Sequence, residues 1–362
     1  MSSTRVAVLG GGNTAFALAA NLTLRRCEVV LWEAPSHAAS LAPIRDSREI
    51  RLTGVAEQGV ARIDSVTTDV REAVETDVLL LPVPSYAHRA FADLLIPHLR
   101  PGHLVVLLPG NLGSLAFAKW AREAGRADGV LFCETDTAPY VCRKVGPSHV
   151  HIWGVVTGLG LGVLPSSGTS RALLALGDVF PGIRAYPHAL ACGLSATNPI
   201  VHPAGVLLNA GRIERSRGEF YFYEEGVTPG VVRAIKAVDA ERLAVAAALG
   251  ISLDTVEESY WKGGFGPRGD LWATINGSQM LTQLRAPGSL ETRWLTEDIP
   301  FGIATWALLG AEHGVQTPTL RAFTDVGSAV AGVDFWRAAR TPADLGISGL
   351  SPAQIADYLA HG

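Results

Sequence analysis

Apolar positions in the first half of the chain fall in short runs separated by helical stretches. Arg5-Val-Ala-Val-Leu9 meets three glycines, Gly10, Gly11 and Gly12. A helical pattern follows through Ala15, Ala19 and Leu22, and Cys27-Glu-Val-Val-Leu-Trp32 reads as the next strand. Together they form a βαβ unit of the usual size. Further apolar runs at 78–81, 104–108 and 130–133 predict more strands. The stretch 155–163 is apolar despite its glycines and reads as strand and turn. Strands alternating with helices imply a parallel sheet covered on both faces. Pro82 and Pro84 follow one strand and Pro109-Gly110-Asn111 another, at the strand ends where ligands of such sheets bind. Pro84 and Asn111 are therefore expected to line a cofactor cleft.

From about Ser195 the pattern changes. Residues 203–209, 228–249, 300–310 and 317–330 read as helices, with no comparable β run between them. The expected fold is α/β, an N-terminal Rossmann dinucleotide-binding domain over 1–190 followed by a mainly α-helical C-terminal domain over 191–362. A length of 362 residues favours two domains over one enlarged core.

Composition narrows the classes. With 48% hydrophobic and 18% charged residues the chain is a well-cored globular protein. A net charge of −4 leaves no basic footprint for nucleic acid. The four cysteines, Cys27, Cys133, Cys142 and Cys192, form no C-x-x-C pair and read as thiols in a reducing compartment. No run approaches the roughly 20 apolar residues of a membrane span, and no apolar leader opens the chain. A cytoplasmic protein without a membrane partner is expected. Glu134-Thr-Asp136 has no histidine or cysteine at ligand spacing, so no metal is expected.

Gly10-Gly-Gly-Asn-Thr-Ala15 fits G-x-G-x-x-A directly after a strand and at the start of a helix. Gly10 allows the tight turn, and Gly12 lets backbone N–H groups approach a diphosphate. Asn13 and Thr14 open the helix, and Ala15 stands where helix packs on strand. Glu33, ending the second strand, is placed to bond an adenine ribose 2′-hydroxyl. Its charge opposes a 2′-phosphate, which favours NAD(H). His37, Arg45 and Arg48 downstream keep NADP(H) open.

The second half carries residues that are ordinary singly. His202, before Pro203, reads either as a histidine packed at a helix start or as an acid/base group. Asn198 either makes an Asx-turn before Pro199 or bonds an imidazole or amide. Asp298, in Thr296-Glu-Asp-Ile-Pro300, reads as a helix cap or as an orienting carboxylate. Arg293 is a surface ion-pair partner or an anion anchor. Tyr221 and Tyr223 are core aromatics or the wall of a substrate pocket.

These stretches, with Glu134-Thr-Asp-Thr-Ala-Pro-Tyr140, Arg143 and Gly218-Glu-Phe-Tyr-Phe-Tyr223, resemble the opine dehydrogenases, the octopine/nopaline dehydrogenase family, in order and over nearly the whole chain. The resemblance implies a catalytic dyad of His202 and Asp298 and a substrate carboxylate held by Arg293. It implies reductive condensation of an α-keto acid with the amino group of an amino acid by NADH or NADPH. Two rivals stand beside it. One is a reductase of the ketopantoate-reductase or glycerol-3-phosphate-dehydrogenase kind, which needs no amine. The other is a non-catalytic NAD-binding sensor. Lysine chemistry of the first rival has few candidates, since Lys119, Lys144, Lys236 and Lys262 are the only lysines. A helical C-terminal domain offers a face for a homodimer.

Overall fold

A computed structural model describes residues 4–362. The chain divides into two compact units. One runs to Gly193 and includes Leu359–Gly362, and the other is Leu194–Tyr358.

The first unit holds twelve strands among its described residues: β1 (Arg5–Leu9), β2 (Glu28–Trp32), β3 (Glu49–Gly54), β4 (Gly59–Arg62), β5 (Ser65–Thr67), β6 (Val78–Leu81), β7 (Leu104–Leu107), β8 (Leu131–Thr135), β9 (Tyr140–Gly146), β10 (His149–Val155), β11 (Gly160–Leu164) and β12 (Arg184–Ala185). Eight form one sheet in the order β12-β11-β8-β7-β6-β1-β2-β5. All its pairs are parallel except β8 with β11. Its central strands are buried along almost their whole length, which explains their unbroken apolar runs. Chain order reverses at β1, between β2 and β6, where ligands of such sheets bind.

A second sheet, β4-β3-β10-β9, lies against helix α1 (Asn13–Leu24). It was not foreseen as a separate layer. α1 contacts β1 and β2 as well as this sheet, so Ala15 through Leu22 are all buried. A helix apolar on every side is what such double coverage requires.

The second unit is helical, and its isolated bridge Tyr221–Arg285 is its only β pairing among the described residues. Two expected helices have shifted starts. The one read at 203–209 begins at Asn198 and runs to Leu207, with Pro199 in its first turn and Pro203 inside. The one read at 300–310 opens as a π-helical turn, Ile299–Ala304, before Thr305–Glu312 continues as α-helix. The longest helix, Pro229–Ala248, is capped by Thr228, whose hydroxyl accepts from Val231 N–H.

This helix also carries a buried ion pair. Arg242 is wholly buried and donates twice to Asp239 Oδ1, at 2.8 and 2.6 Å, and to the carbonyls of Leu194 and Asp254. Asp239 Oδ2 accepts from Val256 N–H at 2.9 Å. Removing one partner strands the other charge in the core. Asp239→Ala is therefore expected to cost about 3–5 kcal/mol in urea unfolding. An unchanged midpoint would contradict this role.

Candidate functional site

The glycine-rich turn is shaped by close contacts. Gly10 has φ +128°, and a Cβ there would lie 3.0 Å from Val83 Cγ1. Its N–H donates to Trp32 O at 2.7 Å, which ties the turn to the end of β2. A Cβ on Gly11 would strike Ser40 and Glu33, whereas one on Gly12 would meet nothing within 4 Å. The first N–H groups of α1 lack a side-chain cap at a positive helix end, which fits a diphosphate. Glu33 is buried, with Oε1 accepting from Ala34 N–H at 2.8 Å and Oε2 from the Ser40 hydroxyl at 3.3 Å. Ala15 is buried in the helix–sheet contact, and Thr14 hydrogen-bonds Cys142. The Asn13 side chain accepts from Lys144 N–H at 2.9 Å, so it joins the second sheet to the turn. Of the basic residues after Glu33, Arg48 is turned to the carbonyl of Asp64.

The loops after β6 and β7 meet beside the turn. Pro84 leads into the 3₁₀ turn Ser85–Ala87, and Asn111, with φ +49°, donates from Nδ2 to Ser85 Oγ at 3.0 Å. Glu134 is fully buried and caps the next helix, Gly113–Glu123. It accepts from Leu112 N–H and Ser114 N–H at 3.0 and 2.9 Å and from the Ser114 hydroxyl at 2.6 Å. Asp136 accepts from the Tyr186 hydroxyl and Gly160 N–H.

In the second unit, residues far apart in sequence converge. His202, on the second turn of Asn198–Leu207, places Nδ1 2.7 Å from Asp298 Oδ2. The two are only 6% and 4% exposed. Asp298 stands at the entry to the π-helical turn but makes no side-chain cap; its carboxylate goes to the imidazole. Burial pushes the Asp298 carboxyl above the ordinary carboxylate range, against the opposing pull of the His202 hydrogen bond and charge. An ionised carboxylate only accepts, so the proton between the two groups sits on Nδ1. The Tyr223 hydroxyl lies 2.9 Å from Nε2. Behind it Tyr260 hydrogen-bonds Tyr223, and burial raises both phenols' pKa values. Trp294 stacks on the imidazole, centroids 4.4 Å apart and planes at 12°, with Phe222 edge-on to Trp294 at 4.6 Å.

Local backbone explains the convergence. Tyr223 lies within the π-helical turn Phe222–Gly226 and Asp298 precedes another, Ile299–Ala304, a geometry frequent at functional sites. Pro300 lacks an N–H, and Ile303 N–H reaches back five residues to Asp298 O at 3.2 Å. Two glycines allow close approach. A Cβ on Gly302 would lie 2.3 Å from Pro199 Cβ, and one on Gly205 2.5 Å from Phe222 Cζ. These contacts draw both turns onto the helix that bears His202.

Arg293 pairs with buried Glu297, its Nε and a terminal nitrogen donating to Oε2 at 2.8 and 2.6 Å. Its own side chain is 56% exposed, so the guanidinium remains reachable from solvent. Asn198 is half-buried in the first helical turn, with no side-chain hydrogen bond found among the described residues, in place of the expected Asx-turn or imidazole contact. Tyr260 and Lys144 carried no signal that sequence reading could use, and Trp294 and Glu297, though inside the 293–298 stretch, had no role of their own until their contacts were seen.

Residues 185–331 match the family described as NAD/NADP octopine/nopaline dehydrogenase, alpha-helical domain. Residues 5–110 match NAD-dependent glycerol-3-phosphate dehydrogenase N-terminus. An opine dehydrogenase of Arthrobacter sp. (strain 1C) is 33% identical over 357 residues, 98% of each chain. Vitopine synthase of Allorhizobium ampelinum is 27% identical over 98% of this chain and 99% of its own. A structure of octopine dehydrogenase in complex with NADH and agmatine superposes with TM-score 0.77 at 21% identity, over 98% of each chain. A PanE/ApbA family ketopantoate reductase from Ralstonia eutropha JMP134 gives 0.61 at 20% identity, over 91% of this chain and 98% of its own. Both likenesses are of fold.

The Tyr223 contact has a measurable consequence for stability. Tyr223→Phe removes the hydroxyl between His202 Nε2 and Tyr260 while keeping the ring. Unpaired buried groups should lower stability by about 1–3 kcal/mol in urea unfolding. Unchanged stability would show that the contact is not maintained in solution.

Proposed function

This chain belongs to the opine dehydrogenase family, and we propose that it reductively condenses an α-keto acid with the amino group of an amino acid through the His202–Asp298 pair. It is an NAD(P)-dependent oxidoreductase acting on CH–NH bonds. The overall change is keto acid plus amine plus reduced cofactor and a proton, giving the secondary amine, water and oxidised cofactor. The observation that carries the reading is the 2.7 Å contact between two buried groups of opposite proton demand.

The chemistry sets a task for each residue. Arg293 holds the keto acid's carboxylate, for which a planar guanidinium supplies paired donors. The amine adds to the carbonyl to give a carbinolamine, which loses its hydroxyl as water only if that oxygen is protonated. His202 gives that proton. An imidazole has one nitrogen to give a proton and another to be held by a carboxylate, which suits it to the step. Asp298 fixes the Nδ1–H tautomer and offsets the imidazolium charge. With Nδ1 committed to Asp298, proton exchange falls to Nε2, and the Tyr223 hydroxyl bonded there at 2.9 Å stands in the proton's path. Trp294 holds the ring plane. A nicotinamide dinucleotide held at the glycine-rich turn would supply the hydride for reduction of the imine.

The dinucleotide turn fits the cofactor through Gly10, Gly12, Asn13 and Thr14, with Pro84 and Asn111 on the neighbouring loops. Glu33 favours NADH, since a 2′-phosphate would meet its buried carboxylate. Among the described residues no helix is long and apolar enough to cross a membrane. A cytoplasmic location suits the four free thiols.

The test is a spectrophotometric matrix of keto acids against amino acids with NADH or NADPH. Cofactor consumption should require both substrates and be faster with NADH. Oxidation with keto acid alone would favour a ketopantoate-reductase-like reaction instead. His202→Ala should lower turnover ~10²–10⁴-fold while leaving cofactor binding nearly unchanged. Full activity in that variant would sink the assignment.

A further inference from the structure

We propose that Lys144 is the phosphate anchor of the dinucleotide, an ammonium delivered to the glycine-rich turn by the second sheet. Lys144 lies on β9 and half-buries its side chain against the start of α1. Its Nζ donates to the Gly11 carbonyl at 2.7 Å and sits 3.3 Å from the centroid of the Phe16 ring. Its backbone N–H holds Asn13. One residue of a separate sheet thus touches the turn and the first helical turn of α1, where an incoming diphosphate would settle.

The ammonium is poorly provided for in this position. It is held by a carbonyl and an aromatic face, and no carboxylate among the described residues forms an ion pair with it. Burial brings its pKa down to about 8, with Glu33 pulling in the opposite direction. The positive end of α1 lies beside it, which further disfavours a cation. A partly buried charge without a counter-ion is costly, and a phosphate arriving at the turn supplies one. The flexible four-carbon stem lets Nζ leave the Gly11 carbonyl for a phosphate oxygen.

This inference rests on dinucleotide binding by the glycine-rich turn. The test measures dissociation constants of NADH, NADPH and adenosine for the full-length protein and for Lys144→Met, at low and moderate ionic strength. Methionine keeps the stem and removes the charge. Affinity for NADH should fall roughly 10- to 100-fold, and adenosine, which has no phosphate, should bind as before. The salt dependence of NADH binding should flatten, and Lys144→Arg should recover most of the affinity. Equal losses for NADH and NADPH would place the contact on the diphosphate. A loss confined to NADPH would place it on the 2′-phosphate and overturn the anchor at the turn. Unchanged affinity for both in Lys144→Met, with the unmodified protein binding normally, would overturn the anchor and leave the dehydrogenase reading intact. Failure of the unmodified protein to bind either dinucleotide would overturn both.

Discussion

A buried carboxylate meeting a buried imidazole is the constraint around which the helical unit is arranged. Asp298 and His202 are 96 positions apart and nearly closed to solvent. Neither could be buried cheaply without the other. Burial nonetheless dominates at Asp298 and leaves its pKa raised. A folded-state value above the unfolded one means that ionising Asp298 weakens the fold as pH rises through that raised value. The cost is absent below the ordinary carboxylate range. A carboxylate whose ionisation works against the fold is kept for chemistry rather than for folding.

The surrounding structure serves to hold that pair. Gly302 against Pro199 and Gly205 against Phe222 bring backbone segments closer than any side chain would permit. Pro300 stands in the first turn of the π-helical segment after Asp298, where its missing N–H costs nothing, and Ile303 N–H donates back to the Asp298 carbonyl. Trp294 then stacks on the imidazole, and Tyr223 with Tyr260 occupies its far nitrogen. In the nucleotide-binding unit the same economy appears in α1, which is covered by one sheet and braced by Lys144 of the other.

Much of this was legible in the residues. The run Arg5–Leu9, the glycines and α1 announced a dinucleotide fold because each follows from local periodicity. His202 and Asp298 could be singled out, yet their contact could not be read from spacing. The second sheet escaped notice for a physical reason. β10 alternates buried Val150, Ile152 and Gly154 with half-exposed His149 and His151 and exposed Trp153, and it pairs with β3, about a hundred positions away. The alternation is a local strand signal, but pairing with a strand so far away leaves none, so the separate sheet could not be read. The helix bearing His202 starts four residues upstream of its own histidine, because Pro199 suits a first turn better than Pro203 does. Glu134 looked like part of an acidic cluster, and only the fold shows it to be a helix cap.

The most direct measurement pairs the turnover and the stability of Asp298→Asn. The amide keeps the shape and removes the buried charge. Urea unfolding should therefore show stability equal to or above that of the unmodified protein. NADH affinity should be unchanged, while turnover with keto acid and amino acid should fall by about 10²–10⁴ as the imidazole loses its orienting carboxylate. Full turnover in a folded Asp298→Asn protein would contradict the assignment of this pair as the acid/base centre.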